Sequence, residues 1–138
     1  MSKSVDFEKY TEFVDAVTSN ESKDYISFNS RCFEIQTGDD GLPIHRLLTA
    51  ACGICAEGGE FTEVVKKIVF QGKPVNEDNI FHMKRELGDI MWYVAQACMA
   101  LDTDFNEIIE MNVDKLKSRY PGGEFDVHYS ENRKDGDV

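Results

Sequence analysis

Residues 55–67, "CAEGGEFTEVVKK", lie between two apolar runs, "LLTAACGIC" at 47–55 and "VVKKIVF" at 64–70. The flanking runs read as the inner face of one long helix. The stretch itself carries Glu57, Glu60 and Glu63 and the adjacent Gly58 and Gly59. Each glycine costs about 1 kcal/mol relative to alanine inside a helix. Carboxylates and helix-weakening residues at the centre of a helix that looks buried need a reason, and that reason bears on both fold and chemistry.

Working outward, Leu47, Ala51, Ile54, Phe61, Val65 and Ile68 recur at helical spacing, which predicts a helix over 43–70 with Pro43 at its start. "QGKPVNEDN" (71–79) breaks it, and Asn76 or Asp78 can cap the next helix, expected over 77–101. Asp104 and Glu107 resemble a capping box, opening a helix that runs to Arg119 and stops at "YPGG" (120–123). Upstream, helices are expected over 6–18 and 22–36, followed by the loop "TGDDGLP". The tail alternates in "EFDVHY" (124–129), which suggests a short strand, and "SENRKDGDV" reads as exposed and poorly ordered. No internal repeat is present. The class is all-α: a helical bundle built on an antiparallel helix pair that carries the acidic site, with a short C-terminal tail. One domain is expected over 1–138, with N-terminal helices and loop in 1–42, a core in 43–119 and the tail in 120–138.

A chain of 138 residues can bury a core without staples. Its net charge of −11 argues against a protein that grips a nucleic-acid polymer by its phosphates. A nucleotide substrate stays open, because a bound cation can invert the local field. The N-terminus has no apolar signal region and no apolar run reaches membrane-spanning length, so no membrane partner and a cytoplasmic location are expected. Cys52 and Cys55 form a C-x-x-C with no second such pair and no nearby histidine. Small buried thiols in a reducing compartment are the better reading than zinc or redox chemistry.

On a wheel of about 100° per residue, measured from Leu47, Glu57 falls near about −80° and Glu60 near about −140°. Measured from Leu87 on the next helix, Glu86 falls near about −100° and Asp89 near about −160°. A short loop makes the two helices antiparallel, and the two-fold relation brings same-handed flanks to one side. Both pairs then line one groove, Glu60 opposite Glu86 and Glu57 opposite Asp89. Four such carboxylates repel and raise one another's pKa values unless a cation neutralises them. Hard oxygen donors suit Mg²⁺, with Mn²⁺ possible. A di-iron bundle would instead use Glu-x-x-His. One E-x-x-E alone is commonly a solvated face; two pairs matched in flank and height make the metal reading its equal.

The blocks "GICAEGGEFTEVVKK", "ELGDIMWYVAQA" and "NVDKLKSRYPGG" resemble the MazG-type all-α nucleoside triphosphate pyrophosphohydrolases over residues 45–123. The pattern E-x-x-E, spacer, E-x-x-[ED] is matched by Glu57, Glu60, Glu86 and Asp89. "GGEFDVHYSENRKDGD" further resembles compact forms carried by viruses of marine cyanobacteria, which implies a host-cytoplasm setting. The resemblance implies Mg²⁺-dependent hydrolysis of a (d)NTP to the monophosphate and pyrophosphate, for control of the nucleotide pool, with those four acids as metal-binding and catalytic residues. It implies homo-oligomers, tetramers or dimers. Gly58 departs from the alanine common in relatives and, by its place near the stripe, suggests close helix approach.

A triphosphate in an acidic groove needs cations from the rim. Lys67 lies on the acidic flank two turns from Glu60, and by family match Asn112, Lys115, Arg119 and Tyr120 lend substrate contacts. Lys115 and Arg119 also have an ordinary reading, as cations near a helix C-terminus. Glu63 stands apart from the quartet. His82, one turn from Glu86, reads as a neighbour of the site or an exposed side chain, and Trp92 and Tyr93 as packing residues. The alternative to an enzyme is a non-enzymatic helical module that binds nucleotide or metal and serves assembly.

Overall fold

The computed structural model describes residues 4–137. Among them the chain forms helices and no strand, and it divides into two compact units, one ending at Ile44 and one beginning at His45. The all-α expectation holds. No helix among the described residues is long and apolar enough to cross a membrane.

The first unit holds α1 (Phe7–Val17), α2 (Asn20–Lys23) and α3 (Tyr25–Thr37). Asp6 caps α1 by accepting from the Lys9 amide at 3.2 Å. The single helix expected over 22–36 is broken at Asp24, whose backbone is extended (φ −127°, ψ 123°). The carboxylate of Asp24 accepts from the Ser27 amide and hydroxyl, each at 2.8 Å. An aspartate with two local donors gains more as an N-cap than as an interior helical residue. The same bonds, led by the Ser27 amide, lower its pKa.

The second unit is built on α4 (Ile44–Phe70) and α5 (Glu77–Ala100), followed by α6 (Phe105–Arg119) and α7 (Val127–Glu131). Gly72, at φ 69°, turns the chain out of α4. The Lys67 carbonyl there accepts from the amides of Gln71 (3.0 Å) and Lys73 (3.1 Å). Asn76 is the cap of α5, accepting from the Asn79 amide at 2.9 Å. At the far end Asp102 takes a left-handed conformation (φ 52°), and the Thr103 amide reaches the Cys98 carbonyl at 3.0 Å. Asp104 caps α6 through the Glu107 amide at 3.0 Å. The Glu107 side chain, however, bonds the Thr103 hydroxyl rather than closing a reciprocal box.

α4 and α5 run antiparallel: Arg46 Nη1 donates to Gln96 Oε1 at 3.0 Å, Gly53 meets Tyr93, and Glu57 and Glu60 meet Glu86. The packing line differs from the one the aliphatic stripe implies. The buried positions of α4 are Ala50, Gly53 and Val64; of the stripe, Ala51 and Val65 are exposed and Leu47, Ile54, Phe61 and Ile68 only half-buried. On the wheel this seam lies about 90° from the stripe, at the angle of Glu57. Small residues explain it, because Ala50 and Gly53 let the α5 backbone come close where Leu or Ile would hold it away. Gly53 is therefore the close-approach glycine; a Cβ on Gly58 would meet nothing within 4 Å.

Two expectations for the rest of the chain are also corrected. The alternating tail segment forms a short helix, α7, because Asp126 caps it by accepting from the His128 amide at 2.7 Å. The end of the tail, expected to be loosely held, returns to α6 through Asp137; Val138 lies outside the described residues. Cys52 and Cys55 are exposed, and only Cys98 of the four is buried.

Candidate metal and active site

Spacing of three residues on α4 puts Glu57 and Glu60 on one face, and the antiparallel neighbour supplies Glu86 from α5. One carboxylate oxygen from each of the three lies within 4.8 Å of the others. Asp89, expected opposite Glu57, is exposed and outside this group, although its charge is felt at Glu57. Withdrawal from water, then the charges of Glu60, Asp89 and Glu86, raise the pKa of Glu57. Mutual repulsion of the carboxylates is thus a property of the folded chain.

Glu86 is the unusual member. The residue is only 6% exposed because the seam runs through it. Oε1 lies 2.8 Å from Nε2 of His82, one turn earlier on α5. Oε2 is buried with no hydrogen-bond partner. Glu57 is its neighbour, but two ionised carboxylates only accept, so a bond between them requires a shared proton. A buried, unpartnered carboxylate oxygen costs more than a kilocalorie or so, and a divalent cation between the acids removes that cost. The donor set fits such an ion: all oxygen, with no thiolate or imidazole in the group, as Mg²⁺ and Mn²⁺ prefer.

The expected cationic residues have partners of their own. Lys67 pairs with Glu63 at 3.0 Å, and Lys66 pairs with the same carboxylate at 2.6 Å. The bonds to Lys66 and then Lys67 lower the pKa of Glu63, so the third glutamate of the stretch is neutralised locally and stands outside the acidic group. On α6, Arg119 donates from Nε and Nη2 to Asp137 at 2.6 and 2.5 Å. Both partners are largely buried, and this bidentate bond lowers the pKa of Asp137. Lys115 adds to that effect and, with Ser118, Arg119 and Lys134, lines a cavity of about 220 Å³ at the tail. Tyr120 rests against Phe125, ring centres 5.8 Å apart, and Asn112 is exposed beside Ile108 and Lys115. The pairing of Arg119 with Asp137 had no signal in the sequence, since a lone aspartate in a charged tail points to no partner.

Comparison with known proteins places these residues in one context. The MazG nucleotide pyrophosphohydrolase domain matches residues 46–123, which contain the four acids and all the cationic candidates. The "Gene 37 protein" of Mycobacterium phage L5 is 37% identical over 81 residues, covering 58% of this chain and 71% of that protein. That relative's origin in a mycobacteriophage is consistent with a compact phage-type form. No solved structure matches the chain. With an antiparallel helix pair bringing Glu57 and Glu60 to Glu86, and a match over more than half its length, the chain belongs to the MazG nucleotide pyrophosphohydrolase family.

Proposed function

We propose that the protein is a Mg²⁺-dependent nucleoside triphosphate pyrophosphohydrolase that converts a (d)NTP to the (d)NMP and pyrophosphate, in control of the nucleotide pool and, in a viral setting, in the host cytoplasm. The observation that carries this reading is the buried Glu86, whose Oε2 has no partner and whose carboxylate lies close to two others inside the MazG domain. Glu57, Glu60 and Glu86 would hold the metal, and Asp89, one turn along α5, would join them. Bound there, a divalent cation supplies a lowered pKa for water and neutralises charge on the phosphates.

In this reading Glu60, exposed at the mouth of the group, takes the proton of the attacking water. The water oxygen bonds the α-phosphorus, the bond from that phosphorus to the bridging oxygen breaks, and pyrophosphate departs. Glu57 and Glu86 hold the acidic floor from opposite helices. Lys67, Asn112, Lys115, Arg119 and Tyr120 are proposed to contact the nucleotide; for Lys67 and Arg119 this requires exchange of their present carboxylate partners for phosphate. Residues 1–138 act as one functional domain in a homo-oligomer, a dimer or tetramer.

The test is incubation with each of the eight common nucleotides and Mg²⁺, followed by assay of pyrophosphate and orthophosphate. Pyrophosphate release from at least one nucleotide is expected. No release from any of them by folded protein would leave the non-enzymatic binding module as the better reading. Orthophosphate alone would move the attack to another phosphorus.

A further inference from the structure

We infer that His82 is a positioning residue for Glu86, holding its carboxylate so that Oε2 is presented to a divalent cation; this rests on the metal reading proposed above. The juxtaposition is specific. His82 precedes Glu86 by four residues on α5, so the two side chains share one face one turn apart. Nε2 lies 2.8 Å from Oε1, close enough for the ring to fix where that oxygen sits. The imidazole is about half exposed, whereas the carboxylate it holds is buried. The histidine thus occupies one oxygen of Glu86 and leaves the other buried and unpartnered, in a carboxylate that closely approaches those of Glu57 and Glu60.

A glutamate carboxylate on its free side chain samples several rotamers and can turn either oxygen outward. Anchoring one oxygen removes that freedom and fixes which lone pairs face the site. Among the described residues neither Glu57 nor Glu60 has a neutral or cationic side-chain donor of this kind, so Glu86 is the one acid of the group held in advance. Side chains in contact with a metal ligand orient it, and loss of such a partner typically weakens metal binding about 10- to 100-fold. Because His82 is half exposed on the surface of α5, its removal is expected to leave the fold in place.

The test is Mn²⁺ binding to the full chain without nucleotide, followed by electron paramagnetic resonance of free Mn²⁺, for wild type, His82→Ala and His82→Gln. Gln places an amide N–H where the imidazole Nε2–H stood. His82→Ala is expected to weaken Mn²⁺ binding about tenfold or more with an unchanged far-ultraviolet circular dichroism spectrum, and His82→Gln to recover most of the loss. Equal affinity in wild type and His82→Ala would overturn the positioning role while leaving the metal site standing. Loss in both variants alike would overturn it too, marking the imidazole as a direct ligand. No Mn²⁺ binding by wild type would overturn the metal reading together with this inference.

Discussion

The Tyr93 ring of α5 packs against Gly53 in α4: a Cβ added there would fall 2.0 Å from Cδ1. This contact sets how closely the two helices approach, and so whether Glu86 can reach Glu57 and Glu60. Gly53→Ala must displace the ring. Overpacking of this kind costs about 1–3 kcal/mol, against about 1 kcal/mol gained in helix propensity. Gly58→Ala meets open space and should gain that propensity without loss. Urea denaturation of the two variants is expected to move the midpoints in opposite directions.

Divalent cation should stabilise the folded chain through the carboxylate group. At a hundredfold excess over Kd, a single site adds about 2.7 kcal/mol. Thermal melts in Mg²⁺ against EDTA are expected to show the shift in wild type and to lose it in Glu57→Gln and Glu86→Gln.

The same substitutions have a second consequence. Folding raises the pKa of Glu57, chiefly by withdrawal from water and then by its acidic neighbours. The charged form is therefore less favourable folded than unfolded, and removing the charge removes a penalty at neutral pH. Metal-free Glu57→Gln is expected to melt no lower than metal-free wild type. Glu60→Gln and Asp89→Asn should abolish pyrophosphate release with the helices intact.

The tail pair gives a pH dependence of definite sign. Hydrogen bonds from Arg119 lower the pKa of Asp137 below the usual value of about 3.9. Its contribution is fully present above that unfolded value and is lost as pH falls through the lower folded one. Amide exchange at Asp137, whose N–H donates to the Lys134 carbonyl at 3.0 Å, is expected to be slow from neutral pH down to about pH 4–5, once its intrinsic acid dependence is subtracted, and to quicken below. Asp137→Asn should remove this transition.

Asp102, left-handed at the end of α5, is a further site where backbone and residue type disagree. A non-glycine residue there costs roughly 1–2 kcal/mol, part of which glycine returns as chain entropy. Asp102→Gly is expected to raise stability by roughly 0.5–1 kcal/mol in urea melts.

The exposed apolar side chains make the assembly testable with an intrinsic probe. Trp92, the single tryptophan, is 56% exposed in one chain and edge-on to Tyr93, with Met99 and Ile109 also open to water. In a homo-oligomer that covers this surface, emission from Trp92 is expected to shift to the red on dilution, and light scattering to report a dimer or tetramer. A monomer at all concentrations would contradict the assembly part of the proposal.

The helices themselves were legible in the chain because helical periodicity, caps and breakers are local. α4, α5 and α6 begin and end within a residue or so of their expected limits. Asp24 and Asp126 show where that reading stops. An aspartate can cap or be carried within a helix, and the choice depends on which neighbouring donors the backbone presents. The candidate site was legible for a related reason: three-residue spacing fixes a helix face, and a short loop fixes antiparallel order.

By itself the sequence determined the helix pair, the height at which the acids meet and the family to which their pattern belongs. Only the tertiary structure decided which line of each helix is buried. Large aliphatic residues mark where burial stabilises most, but close approach of two backbones is set by small ones, and Ala50 and Gly53 moved the seam onto the carboxylates. That shift buried Glu86, left its Oε2 without a partner and gave His82 a role. It likewise separated Glu63, bound to its own lysines, from Glu57 and Glu60, which meet the opposite helix.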